Sequence, residues 1–204
     1  MKQTNTHWLT KGDFELLDDG LSLSSLPNTD FFVNPLDGNV INNAVFRYRE
    51  VKGDFIYKAR VSCNFANNYD APILMAYEND KSWIKICFEQ TDQGRPAIVS
   101  VVTRDRSDDA VGEYVKQEEV WLLLARKDNT FSVHYSLDGK LYLMTRLAWV
   151  PMDQKIKLGF GVQSPAGGSV TAYFRDMSLK QSTPSDLRNL NSSDLTDNPV
   201  YYSE

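Results

Sequence analysis

Cysteine, histidine and long apolar runs are scarce in this sequence of 204 residues. Its only two cysteines, Cys63 and Cys87, each lie inside an apolar run, which is typical of buried free thiols rather than of a disulfide framework. The two histidines leave little choice of ligands for a metal ion, or of a base for a nucleophilic triad. We therefore expect no metal ion, no other cofactor and no catalytic triad.

The sequence also shows no segment that would direct the chain to a membrane. The N-terminus has no apolar stretch of about 7 to 15 residues, as a signal peptide needs, and no later run approaches the roughly 20 apolar residues that span a bilayer. The sequence thus predicts a cytoplasmic protein without a membrane partner. A net charge of −5 without any cluster of Lys or Arg also argues against nucleic acid, since a phosphate backbone would be repelled.

Short runs of Val, Ile, Phe and Tyr follow one another along the chain and are separated by Asn, Asp and Gly. This spacing is typical of antiparallel sandwiches. It predicts an all-β jelly-roll sandwich of two antiparallel sheets that occupies residues 1–180. The strands are expected at residues 54–65, 71–77, 82–89, 97–104, 120–125, 130–136, 140–148, 155–163 and 169–180.

The last part of the chain, residues 181–204, has a different composition. It consists largely of Ser, Asn, Asp and Leu with two prolines, and shows no strand or helix period. Such a segment has little apolar surface with which to offset its ordering entropy. We expect a polar C-terminal tail that is separable from the sandwich.

The predicted strand at residues 82–89 carries an unusual set of side chains. Because side chains alternate between the two faces of a strand, Ile84 and its neighbours two residues apart face the core, while Trp83, Lys85 and Glu89 share the opposite face. An aromatic ring beside charged hydrogen-bonding groups suits the apolar faces and hydroxyls of a sugar. An exposed strand face with cross-strand ion pairs would show the same alternation.

Later strands carry further polar side chains that could belong to this face. Arg104 ends the strand at residues 97–104, and Arg146 lies within the strand at residues 140–148. If the strands are neighbours, these arginines could line one groove with Lys85 and Glu89. His134 is more typical of a packed or surface residue than of a ligand.

Several short segments together resemble the regulation-of-enolase-protein family, a domain of largely unknown function with a concanavalin A-like lectin/glucanase fold. Their order and spacing are similar to those of the family over most of residues 14–179. The resemblance implies a concanavalin A-like jelly-roll sandwich with a concave sheet that bears Trp83, Lys85, Glu89 and Arg104. The segments are Gly53-Asp54-Phe55, Tyr69-Asp70, Ser82-Trp83-Ile84-Lys85, Glu89, residues 100–104, Ser107-Asp108, residues 135–139 and Ser164-Pro165.

Tyr69 and Asp70 are added to the predicted ligand-binding residues because they match the family in this way. A glycoside hydrolase ordinarily needs two carboxyl groups about 5 to 9.5 Å apart, and glucanases of this fold place them at alternate positions of one strand. The sequence has no Glu-x-Asp-x-Glu run. It therefore favours a non-catalytic protein that binds an oligosaccharide. Two alternatives remain: an interaction module that acts on a partner protein such as a metabolic enzyme, and a glycoside hydrolase of the lectin/glucanase fold.

Overall fold

The fold is described by a computed structural model that covers residues 6–203. Residues 1–5 of the predicted domain 1–180 lie outside the described residues. The described strands are β1 (His7–Thr10), β2 (Phe14–Leu17), β3 (Gly20–Ser24), β4 (Phe31–Val33), β5 (Val40–Asn42), β6 (Val45–Lys52), β7 (Phe55–Cys63), β8 (Ala71–Asn79), β9 (Ser82–Gln90), β10 (Pro96–Arg104), β11 (Arg106–Tyr114), β12 (Glu119–Lys127), β13 (Thr130–Ser136), β14 (Leu143–Trp149), β15 (Lys155–Gln163) and β16 (Thr171–Lys180).

Two antiparallel sheets of seven strands pack face to face, which confirms the predicted jelly-roll sandwich. The first sheet has the order β1-β6-β15-β8-β9-β10-β11, and the second has the order β14-β13-β12-β7-β16-β3-β2. The main core lies between them because apolar residues alternate along the strands of both sheets. Ile84, Ile86 and Phe88 of β9 and Leu122 and Leu124 of β12 belong to this core, as the period-two pattern of β9 predicts.

A second, smaller core lies on the outer face of the first sheet. It is closed by residues 25–44, here called the covering segment, which run from the end of β3 to the start of β6 and contain the β4–β5 hairpin. Phe31 and Val33 of this segment are fully buried. The Val33 amide donates to Ser107 Oγ at 2.8 Å, which fixes the hairpin to β11. The outer face of this sheet is therefore covered rather than open.

The C-terminal residues pack on the outer face of the second sheet. Leu187 and Leu190 are buried there against Ile56 and Leu123. The carbonyl of Leu187 accepts a hydrogen bond at 3.1 Å from Nε2 of His134, whose side chain is buried in the same place. The last strand ends at Lys180, the predicted boundary, but the expectation of a tail that is separable from the sandwich does not fit these contacts.

Other expectations from the sequence concern the thiols and the membrane. Cys63 and Cys87 are free, and Cys87 is fully buried. Within residues 6–203 we find no helix with the length and apolar character needed to cross a bilayer.

Candidate functional site

Trp83 lies on the predicted face of β9 but is not exposed. Its side chain is 1% exposed, and Phe31 of the covering segment packs edge-on against the indole with ring centroids 6.5 Å apart. Tyr77 and Val101 of the neighbouring strands belong to the same apolar cluster. The expectation of an open ligand-binding face at Trp83 is therefore wrong in this geometry, because residues 25–44 fold back over the sheet.

Lys85 is buried beside Trp83, and its ammonium group is fully engaged. The Nζ atom lies 3.0 Å from Asp30 Oδ1, and it donates to the Phe31 carbonyl and to Gln163 Oε1, each at 2.8 Å. Burial alone would lower the pKa of Lys85, but Asp30 and the other nearby negative groups outweigh it, and the pKa stays above its ordinary value. Lys85 thus fixes the covering segment to β9 and β15.

Glu89 completes the predicted trio and is also buried, with 8% of its surface exposed. Burial raises the pKa of its carboxyl to about 8, and the nearby Asp109 and Asp30 add to this rise, while Lys85 opposes it. Burial likewise raises the pKa of Asp109. Because the pKa of its carboxyl is about 8, Glu89 is mostly a neutral acid at pH 7.

Arg104 lies on the opposite face of the first sheet. In the antiparallel register, Trp83 is opposite Thr103, Lys85 is opposite Val101 and Arg104 is opposite Ser82. Directly opposed residues share a face, so an even-numbered residue of β10 cannot join Trp83 and Lys85. Arg104 is exposed and donates to the Trp149 carbonyl at 3.1 Å. The predicted groove with Lys85, Glu89 and Arg104 is therefore not formed.

Tyr69 and Asp70 lie in the loop between β7 and β8. The Asp70 carboxylate is completely buried and accepts the amides of Ala66 and Asn67 at 2.9 and 2.7 Å, and the hydroxyl of Ser164 at 2.6 Å. Tyr69 is partly exposed and has a positive φ of 69°. These contacts show that Asp70 holds the loop in shape.

Arg146 lies at the far edge of the sandwich. Its Nη1 atom is 3.3 Å from Asp108 Oδ1, so the pair joins β14 of the second sheet to β11 of the first. The structure thus brings Trp83, Lys85 and Glu89 together beneath the covering segment, and it places Arg104 and Arg146 elsewhere.

An open groove is present on the second sheet instead. It has a volume of ≈ 700 Å³, within the range typical of small-ligand sites. Its walls are the β2–β3 turn, the loop between β13 and β14, and residues 197–202, here called the C-terminal arm. It runs over β16, where the pairing with β7 is interrupted between Arg175 and Ser178 and Asp176 has a positive φ of 48°. This β-bulge opens the space for the groove.

Charged side chains surround the groove, and three of its cations are paired with carboxylates. Arg60 binds Asp176 through Nε at 2.7 Å and Glu119 through Nη1 at 2.7 Å. Burial acts to lower the pKa of Arg60, but its bonds with these two carboxylates outweigh burial and raise it. On either side, Arg175 binds Asp19 at 2.6 Å and Lys58 binds Asp197 at 2.7 Å.

Two aromatic residues add apolar surface to the groove. Trp121 of β12 is partly buried, with the backbone of Gly139 against its ring and the Arg60 guanidinium 5.5 Å from its centroid. Tyr201 of the C-terminal arm is 64% exposed. A signal for Trp121 exists in the sequence, since it alternates with the core residues Val120 and Leu122, but its nearness to Arg60 and the arm depends on strand order.

The chemistry available in this groove is that of a binding site for polar ligands with apolar faces. Within the described range, 6–203, no group of three or more His, Cys, Asp or Glu side chains is placed to hold a metal ion. The ion pairs supply fixed hydrogen-bond donors and acceptors, and the rings of Trp121 and Tyr201 supply apolar surface.

Known proteins with similar sequences and folds agree with this architecture. A curated relative from Saccharomyces cerevisiae, named regulation of enolase protein 1, is 25% identical over 174 residues, which are 84% of this chain and 87% of the relative. A crystal structure of a functionally unknown protein from Saccharomyces cerevisiae has a TM-score of 0.80 with 24% identity, covering 86% of this chain and 95% of that one. The carbohydrate binding module CBM66 from Bacillus subtilis has a TM-score of 0.57 with 12% identity, covering 88% and 98%.

These two solved structures show the shared fold. The curated relative confirms the resemblance to the regulation-of-enolase-protein family. The model of the family described as protein of unknown function (DUF1349) matches residues 8–182, and the chain therefore belongs to the DUF1349 family.

Proposed function

We propose that this protein binds a neutral oligosaccharide without cleaving it, and that the groove over β16 is the binding site. The observation that carries the proposal is the combination of Trp121 and Tyr201 with fixed ion pairs around one open space of ≈ 700 Å³. Sugars present apolar C–H faces and hydroxyl groups together, and this groove offers a partner to each. The face at Trp83 is covered, so we assign the ligand site to the second sheet instead of the first.

A neutral ligand follows from the way in which the charges are arranged. Arg60, Arg175 and Lys58 already bind carboxylates, and Lys140, which also lines the groove, stands among five aspartates of the same lining, so an anionic sugar meets mainly negative charge. The carboxylates at the rim are largely exposed: the side chains of Asp19 and Asp197 are 61% and 70% accessible. Uronic acids would be repelled by these groups, whereas hydroxyls can donate to them.

The similarity to a solved carbohydrate binding module supports this proposal at the level of the fold. Functions differ widely among proteins that share a fold, so the argument depends on the groove itself.

The proposal is tested by calorimetric titration of the protein with cellohexaose, xylohexaose, laminarihexaose and the acidic hexaguluronate. We expect weak binding of at least one neutral hexasaccharide and none of hexaguluronate. Trp121→Ala should weaken binding about ten- to a hundredfold, which corresponds to the roughly 1.5 to 3 kcal/mol of a buried large side chain. Trp149→Ala, which removes an exposed indole outside the groove, is the matched control and should bind as the wild type does.

A protein partner is the second candidate, and one surface favours it. The indole of Trp149 is 59% exposed, and Leu141 and Leu143 in and beside the same edge strand are 64% and 45% exposed. Apolar side chains at an exposed sheet edge are typical of protein-interaction surfaces. Since the curated relative is named for the regulation of enolase, purified enolase is the partner to test, with Trp149→Ala expected to weaken its binding and Trp121→Ala to leave it unchanged.

A further inference from the structure

The C-terminal arm forms one wall of the groove over β16, and it is held by contacts of its own. We propose that the arm is a movable wall, so that ligand binding in the groove and docking of the arm strengthen each other. This inference rests on the proposed function, because the ligand concerned is the neutral oligosaccharide of that groove.

Backbone contacts attach the arm at the β16 bulge. The Val200 amide donates to the Met177 carbonyl at 2.9 Å, and the Leu179 amide donates to the Asn198 carbonyl at 3.1 Å. Asn198 adds two further bonds, from its amide to Ser178 Oγ at 2.7 Å and from Nδ2 to the Leu179 carbonyl at 2.6 Å. The bulge therefore does two things at once: it opens the groove and frees the carbonyl that holds the arm.

Side chains anchor the arm at both ends. Tyr202 packs edge-on against Phe160 of the first sheet with ring centroids 4.9 Å apart, and its hydroxyl lies 3.2 Å from that of Tyr57 in the second sheet. At the other end, Asp197 binds Lys58, which also donates to the Leu195 carbonyl at 2.8 Å. The arm thus bridges the two sheets at one end and covers a charged residue of the second sheet at the other.

The contacts that the C-terminal arm would lose on release favour the docked state, but they are few enough for the released state to form. Release would bare Lys58 and leave the buried Tyr57 hydroxyl without its phenolic partner, so the docked state is favoured. The apolar contribution of the arm is nevertheless small, since it rests on Val200 and Tyr202, and Tyr201 is largely exposed. Segments with few buried apolar contacts open more readily than the core does.

Because the C-terminal arm forms a wall of the groove, sugar binding and docking of the arm influence each other. A sugar that touches both Tyr201 and the β12–β16 side of the groove meets its complete site only when the arm is docked, so its apparent affinity falls with the docked fraction. By linkage, the bound sugar must raise that docked fraction by the same factor.

The test combines hydrogen–deuterium exchange with two variants that loosen the arm. We expect the best-bound neutral hexasaccharide of the titration panel, at saturation, to slow exchange of the amides in residues 197–203 at least about threefold. Asn198→Pro removes both the amide bond to Ser178 and the Nδ2 bond to the Leu179 carbonyl. Asn198 lies outside the residues that line the groove, so the variant acts on docking alone. It should lower the affinity for this sugar about tenfold, as should Tyr202→Ala. Tyr202→Phe keeps the ring and loses only the hydroxyl contact with Tyr57, so it should bind more tightly than Tyr202→Ala does.

The coupling and the proposed function are contradicted by different results. Wild-type affinity in both Asn198→Pro and Tyr202→Ala, or arm exchange that the sugar does not change, would overturn the coupling and leave the proposed function standing. Failure of the wild type to bind any neutral hexasaccharide would overturn the proposed function, and the coupling with it. A thermal melt of each variant separates arm release from global unfolding, since Asn198→Pro does not touch the core.

Discussion

Lys85 and Asp30 form an ion pair, with Nζ 3.0 Å from Oδ1, that joins β9 to the covering segment. The lysine side chain is 2% accessible and the aspartate side chain 15%, so the pair is screened from solvent. This contact explains why a strand face that contains a tryptophan and two charged residues is closed, and it makes the covering segment part of the folded core.

The first prediction concerns Lys85 itself. Lys85→Met should destabilise the protein by about 3 to 5 kcal/mol, because removing one partner of a buried pair leaves the other charge uncompensated. Hydrogen–deuterium exchange should quicken first at residues 31–33, the strand that Lys85 holds. The matched control is Lys155→Met, which breaks an exposed pair with Glu50 and should leave the stability nearly unchanged. Equal losses in the two variants would contradict the structural role of Lys85.

The second prediction concerns Trp83. Trp83→Ala should cost about 3 to 5 kcal/mol through lost burial and the cavity that remains, and lower Tm by on the order of 10 °C for a chain of this size. The open ligand-binding face that the sequence predicts would give the opposite result, an intact fold with lost sugar binding. Trp149→Ala should leave Tm nearly unchanged, because that indole is mostly exposed. A Tm of Trp83→Ala close to that of the wild type would mean that the covering segment is open in solution.

The third prediction is a dependence of stability on pH through Glu89. Its pKa is about 8 in the folded protein, against an ordinary 4.5, so the folded state binds more protons than the unfolded state between these two values. The stabilising contribution of the protonated carboxyl is therefore complete below about pH 4.5 and is lost as the pH rises through about 8. Glu89→Gln should flatten the fall of Tm between pH 5 and pH 8.5, roughly estimated at several degrees in the wild type. A wild-type slope that this substitution leaves unchanged would refute the assignment.

The fourth prediction concerns the tail. Because Leu187 and Leu190 are buried on the second sheet, the full-length double variant Leu187→Ser and Leu190→Ser should lower Tm by more than about 5 °C. Leu36→Ser is the control, since Leu36 is 93% exposed and its replacement should change Tm by less than about 1 °C. A detached tail would give two variants that both melt like the wild type.

The strand pattern could be predicted well wherever one face of a strand is buried between the sheets. The bounds of β13 and β15 match the prediction, and those of β9 and β10 differ from it by one residue. The sequence pattern does not predict β11, because Arg106–Tyr114 is an edge strand with mostly exposed, polar side chains. Alternation of apolar residues is weak in such a strand.

The turn at Asp138-Gly139 shows the limit of local signals. This dipeptide predicts a type I′ hairpin, which requires positive φ at both residues. In the structure only Gly139 has a positive φ in the loop of residues 137–142, and the Asp138 carboxylate caps the loop by accepting the amides of Lys140 and Leu141. The sequence indicates that the chain reverses direction between β13 and β14, but it does not indicate the length of the loop.

The candidate site was harder to predict than the fold, for a physical reason. Period two assigns Trp83, Lys85 and Glu89 to one face correctly, but it carries no information about what else packs on that face. The covering segment and the C-terminal arm reach their places through contacts between residues far apart in the chain. For the same reason the sequence pattern does not predict the groove, because its residues Trp121, Arg175 and Tyr201 come from separate parts of the chain.

The pairing of Arg146 with Asp108 also bears on how the protein avoids self-association. β11 and β14 are edge strands of different sheets, and the pair joins them at one end of the sandwich. Edge strands with unpaired backbone groups are templates for aggregation, and natural proteins protect them with charges. β11 carries Asp108, Asp109 and Glu113, whereas Arg146 is the one charged residue of β14. Neutralising Arg146 would remove the last charge from that edge, and growth of intermolecular sheets, with fibrils as their end point, would then start at β14.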